Sequence, residues 1–492
     1  MDAARSLILL SPQLILLIWA LLVLGLDLLL KKAKDALAYL ALAGLLPVLG
    51  ASLYLLVLRA DESLLSGMVH VDTYSLYFTV IACLAAGLVI LASMEYMRAR
   101  TRYRGEFYGL LLLATLAMTL MASATNLIMI YLSIEFMSLT SYVLVGFFRG
   151  DPKSSEGGLK YFLYGAVTSA LMLYGMSLVY GATGTTDLSE IATNLAAMRA
   201  TMPPTRYLLL PAMLFMLAGF SFKMALVPFH QWSPEAYEGA PTPVATLLSV
   251  GPKAMGFAVL MRVLLVALPL FQIDWVAVLM GISLVTMTLG NLTAMRQTNI
   301  KRMLAYSSIA QAGYMLVGVV SFLPLFGVGI YAIHSVLVYL MAYLFTNAGA
   351  FIAVIAFSHV TDSDEIADYA GLVRRAPALA AVMVVFFMSL AGLPPTAGFI
   401  GKLLVFGSAV KATYYYLAVV GVLNSVVSVV YYFNVVRQMF FLPPVDEGRL
   451  SLPRFPMAAV IICVVLVLLI GLYPQPLIDL VSQSVTILGM AP

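Results

Sequence analysis

The chain reads as an all-α protein that crosses a membrane about fourteen times, and three observations carry that reading. Hydrophobic residues make up 62% of the 492 positions and charged residues only 10%, against roughly 25% charged in soluble domains. Apolar runs of about 20 residues recur from one end to the other, each long enough to cross a hydrocarbon layer of roughly 30 Å as a helix. The connections between the runs are short, and their lysine and arginine content alternates as it does in multi-pass proteins.

The runs place spans near 7–30, 36–58, 72–97, 107–122, 126–148, 158–181, 207–230, 241–267, 275–295, 300–321, 327–357, 378–408, 413–441 and 455–473. The first follows a single basic residue, Arg5, and lacks a small-residue cleavage site, so a retained helix is expected rather than a signal peptide. Loops of one side carry seventeen Lys and Arg residues, against six at or near the other: Arg5, Arg59, Arg199, Arg206, Arg262 and Lys411. The first side is therefore expected to be cytoplasmic, with both termini outside. Arg262, near the outer end of its span, is expected to snorkel to the headgroups. In the connection 183–206, Asp187-Leu-Ser-Glu190 suits the cap of a short surface helix. The connection 362–375 has acidic residues first and arginines last, which suits a short helix complementing its own dipole. The alternative for both is a solvated connector. Asp27 and Lys31 are spaced to pair along one helix, and His70 and His359 read as solvated loop residues.

Internal repetition is suggested by spans 4 to 8 and 9 to 13, five helices each, because an odd number per unit turns the second copy upside down. The organisation is then an N-terminal three-helix segment 1–106, a first unit 107–267, an inverted second unit 272–441 and a C-terminal span within 442–492. The fourth helix of each unit carries the same anomaly. One has Leu217-Ala-Gly followed by Lys223 and Pro228; the other has Leu390-Ala-Gly-Leu-Pro-Pro followed by Lys402, which reads as the counterpart of Lys223. Proline removes an amide donor and clashes with the preceding turn, so helices 7 and 12 are expected to be discontinuous. Irregular backbone at membrane depth is tolerated only where it is buried in protein or lines a wet cavity. Two half-channels, one per unit, would follow.

A cation at the bilayer centre costs roughly 2.5–3.5 kcal/mol on insertion scales, which makes an ionisable residue there a functional candidate. Lys223 and Lys253 lie about mid-span, and a buried lysine can release its proton where arginine cannot. Glu135 sits mid-span in helix 5. Placed beside Lys223 it would stabilise the charged form of its partner, so the two can open and close as a proton switch; a purely structural buried pair is the alternative. His230 follows Lys223 by two helical turns and has the chemistry of a relay, or is an ordinary interfacial histidine, and His334 is read the same way. Lys402 closes the series, while Lys160 either joins it or snorkels to the headgroups. The aromatic residues fit interfacial belts and define no quinone pocket. Cys83 and Cys463 are isolated and supply neither a disulfide framework nor a metal or iron–sulfur ligand set. No nucleotide, haem or flavin motif is present, so redox chemistry within this chain alone is not expected. The net charge of +4 is small and spread over loops, which argues against nucleic acid as a partner.

At these residues the sequence resembles the antiporter-like membrane subunits of respiratory complex I, the NADH:quinone oxidoreductase. The resemblance rests on Ser133–Phe147 around Glu135, Ser154–Gly165 around Lys160, Phe222–Pro243 around Lys223 and His230, Gln297–Gln311, and Ser389–Lys402. It covers nearly the whole chain. A lysine rather than a glutamate at Lys402, and the absence of a long lateral helix after span 14, narrow it within the family. The resemblance implies a proton-translocating subunit of a translocase in the bacterial inner (plasma) membrane, with its termini on the periplasmic side. Glu135 and Lys223 would be the interacting pair, Lys253 the central relay and Lys402 the exit-side group. NADH, FMN, iron–sulfur clusters and quinone would belong to partner subunits, and the chain's own contacts would be with other membrane-arm subunits, lipid and protons. Two alternatives are a subunit of a multisubunit sodium/proton antiporter and a non-conducting structural spacer.

Overall fold

The computed structural model describes residues 3–30, 34–201, 205–323, 328–444 and 448–484, and each of the expected spans appears in it as helix. The N-terminal segment holds α1 (Ala3–Leu9), α2 (Ser11–Leu29), α3 (Ala36–Val57) and α4 (Thr73–Arg100). Pro12 lies at the start of α2, where its missing amide costs no hydrogen bond. Next come α5 (Arg104–Ser123), α6 (Leu127–Val145), α7 (Pro152–Thr183), α8 (Leu188–Thr201), α9 (Thr205–Met224), α10 (Trp232–Gly239) and α11 (Thr242–Arg262). The remainder is α12 (Gln272–Ala294), α13 (Ile300–Val320), α14 (Gly329–Thr361), α15 (Leu372–Arg375), α16 (Pro377–Ala391), α17 (Ala397–Lys411), α18 (Tyr415–Phe441), α19 (Arg454–Leu472) and α20 (Gln475–Ser484). Twelve of these helices, among the described residues, are each long and apolar enough to cross a membrane. Two further crossings are divided, one between α9 and α10 and one between α16 and α17.

Polar side chains start the helices where the sequence changes character. Asn126, Asp151 and Asn299 each accept a first-turn amide of the helix that follows, and Asp72 forms a capping box with Ser75. Asp187 caps α8 by accepting from the Ser189 and Glu190 amides at 2.9 and 3.1 Å, as its sequence suggested. The connection 362–375 becomes a 3₁₀ turn, Ile366–Tyr369, and the single turn α15, which ends on Arg374 and Arg375. At the centre lies α14, packed against α4, α11, α13, α16, α17 and α19. The apolar stretches of α11, α13 and α14 are almost wholly covered by protein, whereas α2, α3, α12, α18 and α19 are largely peripheral.

The basic connections meet on one face, where Lys34 pairs with Asp27 at 2.9 Å, Arg100 with Asp362 at 3.0 Å and Lys153 with Glu238 at 2.9 Å. Lys31, the partner expected for Asp27, lies outside the described residues; Lys34 takes that carboxylate instead. On the opposite face a short hairpin, β1 (Glu62–Leu64) with β2 (Val69–Val71), stands where the sequence suggested only a loop. Its turn accepts from Thr125 N–H at Met68 O, 3.1 Å, and segment 125–127 is bonded in turn to the chain before α8, Leu127 N–H to Thr186 O at 2.8 Å and Leu188 N–H to Thr125 O at 3.1 Å. His70 belongs to β2 and lies 2.6 Å from Asp61, and His359 sits in the last turn of α14 beside Arg100, so neither is a free loop histidine. Arg262 does not snorkel. It is 1% exposed and turned inward onto Asp72, because a buried carboxylate at the start of α4 offers it a bidentate partner.

Both divided helices end in the same way. After α9, Leu226 N–H reaches Ser221 O at 2.9 Å and Ala225 N–H reaches Phe222 O at 3.1 Å, with Ala225 left-handed at φ 57°. After α16, Leu393 N–H reaches Met388 O at 2.9 Å and Gly392 N–H reaches Ser389 O at 3.0 Å, with Gly392 at φ 86°. Each is a Schellman end, which closes the last turn without water. This register sets Lys223 opposite Leu390, and Glu235 opposite Lys402, so Lys402 is not the positional counterpart of Lys223. One lysine precedes its break and the other follows.

The left-handed residues differ in chemistry, so opposite substitutions should act in opposite directions. Gly392→Ala should cost about 1–2 kcal/mol, seen as a lower thermal midpoint in detergent. Ala225→Gly should raise the midpoint slightly, the relief of its φ being offset in part by unfolded-state entropy. Midpoints that move together would contradict the assignment.

Candidate functional site

Lys223 occupies the last turn of α9 and is almost fully buried. Its ammonium donates to Ser138 Oγ on α6 and lies 5.0 Å from the Phe222 ring centre and 5.8 Å from those of Tyr142 and Tyr161. Trp232, from beyond the break, stacks on Tyr161 at 4.2 Å and donates its indole N–H to Phe222 O at 2.9 Å. The amine is thereby seated in an aromatic cage with one hydroxyl acceptor. Glu135 is half-buried on the same helix as Ser138, one turn away, and accepts from Ser169 Oγ. Among the described residues no ion pair joins Glu135 to Lys223, although the carboxylate is near enough for its charge to act on the lysine. Each partner is held by a serine, Ser169 for the carboxylate and Ser138 for the amine.

Lys253 lies in α11 directly after Gly251-Pro252 and is 1% exposed. Its ammonium donates to Ser308 O and, at 2.6 Å, to Ser308 Oγ, which also accepts from Tyr343 OH at 2.8 Å. Gly256, one turn further along, faces the end of α9: a Cβ there would lie 2.7 Å from Met224 Cγ and 3.5 Å from Lys223 Cβ. Glycine is what lets the helices bearing the two lysines approach.

Lys402 reaches back across its break. Its ammonium donates to Leu390 O at 2.9 Å and to Ala391 O at 3.0 Å, and stands 4.6 Å from the Tyr314 ring centre. These are the carbonyls that the Schellman end leaves open, and the negative end of α16 favours a cation there. Leu390 O also accepts from Gln311 Nε2 at 2.8 Å, and Gln311 Oε1 accepts from Tyr339 OH. Gln311 and Ser308 are one turn apart on α13, as Tyr339 and Tyr343 are on α14. Two rungs of polar side chains thus stand between Lys253 and Lys402. Beyond Tyr314, Asn291 donates to its hydroxyl at 2.7 Å and accepts from Tyr431 OH at 3.0 Å.

The remaining sequence candidates are placed differently. His230 lies in the irregular chain between α9 and α10 and His334 near the start of α14; among the described residues, Nδ1 of the first and Nε2 of the second have no hydrogen-bond partner. Lys160 is an ion-paired residue of the basic face, 2.6 Å from Glu156 and 3.0 Å from Glu235. From Glu235 the charges continue through Arg302 at 3.2 Å to Glu238 at 2.8 Å, and Lys301 donates to Glu238 O at 2.6 Å and Ala240 O at 3.0 Å. Sequence reading passed over Glu235 and Glu238, and over Ser138, Ser308, Gln311, Tyr339 and Tyr343. Their signal was available as polar residues at helical spacing on otherwise apolar helices. A cavity of about 980 Å³ opens on this face between Arg149, Lys153, Glu238, Thr242, Lys301 and Asp364. From its wall, Thr242, Thr246, Ser249 and Lys253 run down one side of α11, all of them buried.

Comparison with known proteins agrees with this architecture. Residues 124–428 match the family model described as "NADH:quinone oxidoreductase/Mrp antiporter, TM". NADH-quinone oxidoreductase subunit N of Moorella thermoacetica is 45% identical over 453 residues, covering 92% of each chain. The subunit N of Trichlorobacter lovleyi is 43% identical over 461 residues, covering 93% of this chain and 92% of its own. A chain of respiratory complex I from Thermus thermophilus with bound aureothin superposes with a TM-score of 0.78 at 32% identity, covering 96% of this chain and 99% of that one. A chain of the Mrp complex from Dietzia sp. superposes with a TM-score of 0.83 at 20% identity over 98% of this chain and 97% of its own, a likeness of fold alone. The chain belongs to the NADH:quinone oxidoreductase/Mrp antiporter family of membrane subunits, and the resemblance read from its motifs holds, with subunit N as the branch it matches.

The ion network on α10 has a pH signature. Burial alone would push the Glu235 carboxyl up, but the hydrogen bonds and charges of Lys160 and Arg302 outweigh it and hold it below its ordinary value of 4.5. For Glu238, burial is likewise outweighed by Arg302 and Lys153. A depressed carboxyl contributes stability that is complete above its ordinary value and is lost as the pH falls through the depressed one. Acidification from about pH 6 to pH 3 should therefore lower the thermal midpoint more steeply than in a Glu235→Gln/Glu238→Gln variant. Parallel curves for the two proteins would exclude the network as the source.

Proposed function

We propose that the chain is a proton-translocating membrane-arm subunit of a complex I type NADH:quinone oxidoreductase in a bacterial plasma membrane, driven by quinone reduction in partner subunits. One observation carries the reading: among the described residues, Lys223, Lys253 and Lys402 are buried at membrane depth and none forms an ion pair. Each amine rests on neutral oxygens. An ammonium locked to a carboxylate would resist losing its proton; one on a hydroxyl or carbonyl keeps a hydrogen bond in either protonation state. Burial of an unpaired cation costs roughly 2.5–3.5 kcal/mol, and at Lys223 and Lys253, which close no helix end, it has no structural return.

In this reading protons enter from the basic face, which is cytoplasmic, through the cavity and the hydroxyls of α11 to Lys253. Glu135 and Lys223 set the charge state beside it. The rungs Ser308–Tyr343 and Gln311–Tyr339 lead to Lys402, from which the proton leaves toward the periplasm, where both termini also lie. Lys160, His230 and His334 serve as accessory groups at the margins of the path. The helices fall into two inverted five-helix units, 107–267 and 272–441, flanked by segments 1–106 and 442–492. NADH, FMN, iron–sulfur clusters and quinone belong to the partner subunits. The family also contains Mrp antiporters, so a sodium/proton antiporter subunit is the second reading; copurification with flavin and iron–sulfur subunits separates the two.

The test is Lys223→Ala, Lys253→Ala and Lys402→Ala, each in the assembled complex in inverted vesicles. Proton pumping per assembled complex should fall by roughly a hundredfold, the lower end of what a proton-transfer group contributes, and quinone reduction should fall with it. Full pumping in all three variants would leave a structural spacer as the function.

A further inference from the structure

The buried ion pair between Asp72 and Arg262 lies outside the proton path and is held from several sides, with only Arg262 Nε lacking a partner among the described residues. Arg262 Nη1 and Nη2 stand 2.9 and 3.0 Å from the two carboxylate oxygens, and Nη2 also donates to Ala122 O at 3.1 Å. The guanidinium lies 4.9 Å from the ring centre of Tyr74, whose hydroxyl donates to Ala258 O at 2.9 Å. Asp72 is at the same time the N-cap of α4, accepting from Ser75 N–H at 2.7 Å. Three residues thus tie the outer half of α11 to α4 and to the last turn of α5. Beyond Arg262 the helix widens into a π turn, Val263–Ala267.

The reason α11 needs such an anchor lies at Lys253. Pro252 lacks the amide that would bond Leu248 O, and Gly251 and Gly256 flank the same turn, so the helix is weakest where it carries the lysine. Ala258 is five residues from Lys253, about 7.5 Å along the axis. A buried ion pair is a poor source of stability compared with apolar packing, and its best-attested use is to fix register.

We propose that Asp72, Tyr74 and Arg262 are positioning residues that fix the register of α11 and so hold the Lys253 ammonium on Ser308. The proposal rests on the reading of Lys253 as a proton carrier. Tyr74→Phe, which keeps the ring and removes one hydrogen bond, is compared with Asp72→Asn, Asp72→Glu and Lys253→Ala in the assembled complex in inverted vesicles. Pumping per assembled complex should fall roughly two- to tenfold in Tyr74→Phe and Asp72→Asn, the effect of a shift well short of the ~1 Å that costs about a hundredfold. Asp72→Glu should recover most of it. A merely structural pair would change the amount of complex and leave the rate per complex alone. Native rates in assembled Tyr74→Phe and Asp72→Asn, or a Glu variant no better than Asn, would overturn the proposal, as would a Tyr74→Phe chain that fails to assemble. If Asp72→Asn alone fails to assemble, Tyr74→Phe decides. Native pumping in Lys253→Ala would instead show that the carrier assignment itself is at fault.

Discussion

A helix that ends inside a hydrocarbon layer leaves its last carbonyls without water, and the interior of this bundle is arranged around two such ends. Each is closed first by its own backbone, through amides that turn back on the preceding turn. At the second end what remains open, Leu390 O and Ala391 O, is met by the Lys402 ammonium from the segment after the break, whereas at the first the Trp232 indole adds a second donor to Phe222 O, which the Ala225 amide already uses. The break is therefore not a defect that the membrane tolerates. It is a place where backbone oxygen becomes available at depth, and it draws in the group that uses it.

The same economy explains why the buried amines are not matched with carboxylates. Glu135 is near Lys223, yet each is held by a serine, Ser169 and Ser138 respectively. Lys253 rests on both oxygens of Ser308. Where the pair is fully buried, at Asp72 with Arg262, the positive member is an arginine, which keeps its charge, while at the basic face lysines and arginines alike pair with carboxylates, Lys34, Lys153 and Lys160 as well as Arg302. The molecule thus separates two uses of charge. Cation–carboxylate pairs fix geometry at the ends of helices, and lysines on neutral oxygens occupy the interior.

Much of this was legible from sequence because the informative signals are local. A lysine or proline inside an apolar run announces itself without knowledge of the fold, so the spans, the two breaks and the three central lysines were all readable. The seats of those lysines were not. Ser138 is 85 residues from Lys223 and Ser308 is 55 from Lys253. A serine on a membrane helix gives no sign of which neighbour it faces. Arg262 was misread for the same reason: its partner lies 190 residues away, and from its own span alone an outward reach looked natural. Pairing Lys402 with Lys223 failed differently, since the repeated Leu-Ala-Gly triplet aligned the letters while the hydrogen bonds of the two ends align the chain in another register.

The hairpin Glu62–Val71, bonded to Thr125, and the bonds of Thr125 and Leu127 to Leu188 and Thr186 give the bundle one woven end. The other end is left open by the cavity among the basic connections. A vessel closed by paired amides and carbonyls on one side and wet on the other does not treat its two aqueous phases alike. Charged side chains line the mouth at the cavity, whereas paired amides and carbonyls line the woven end.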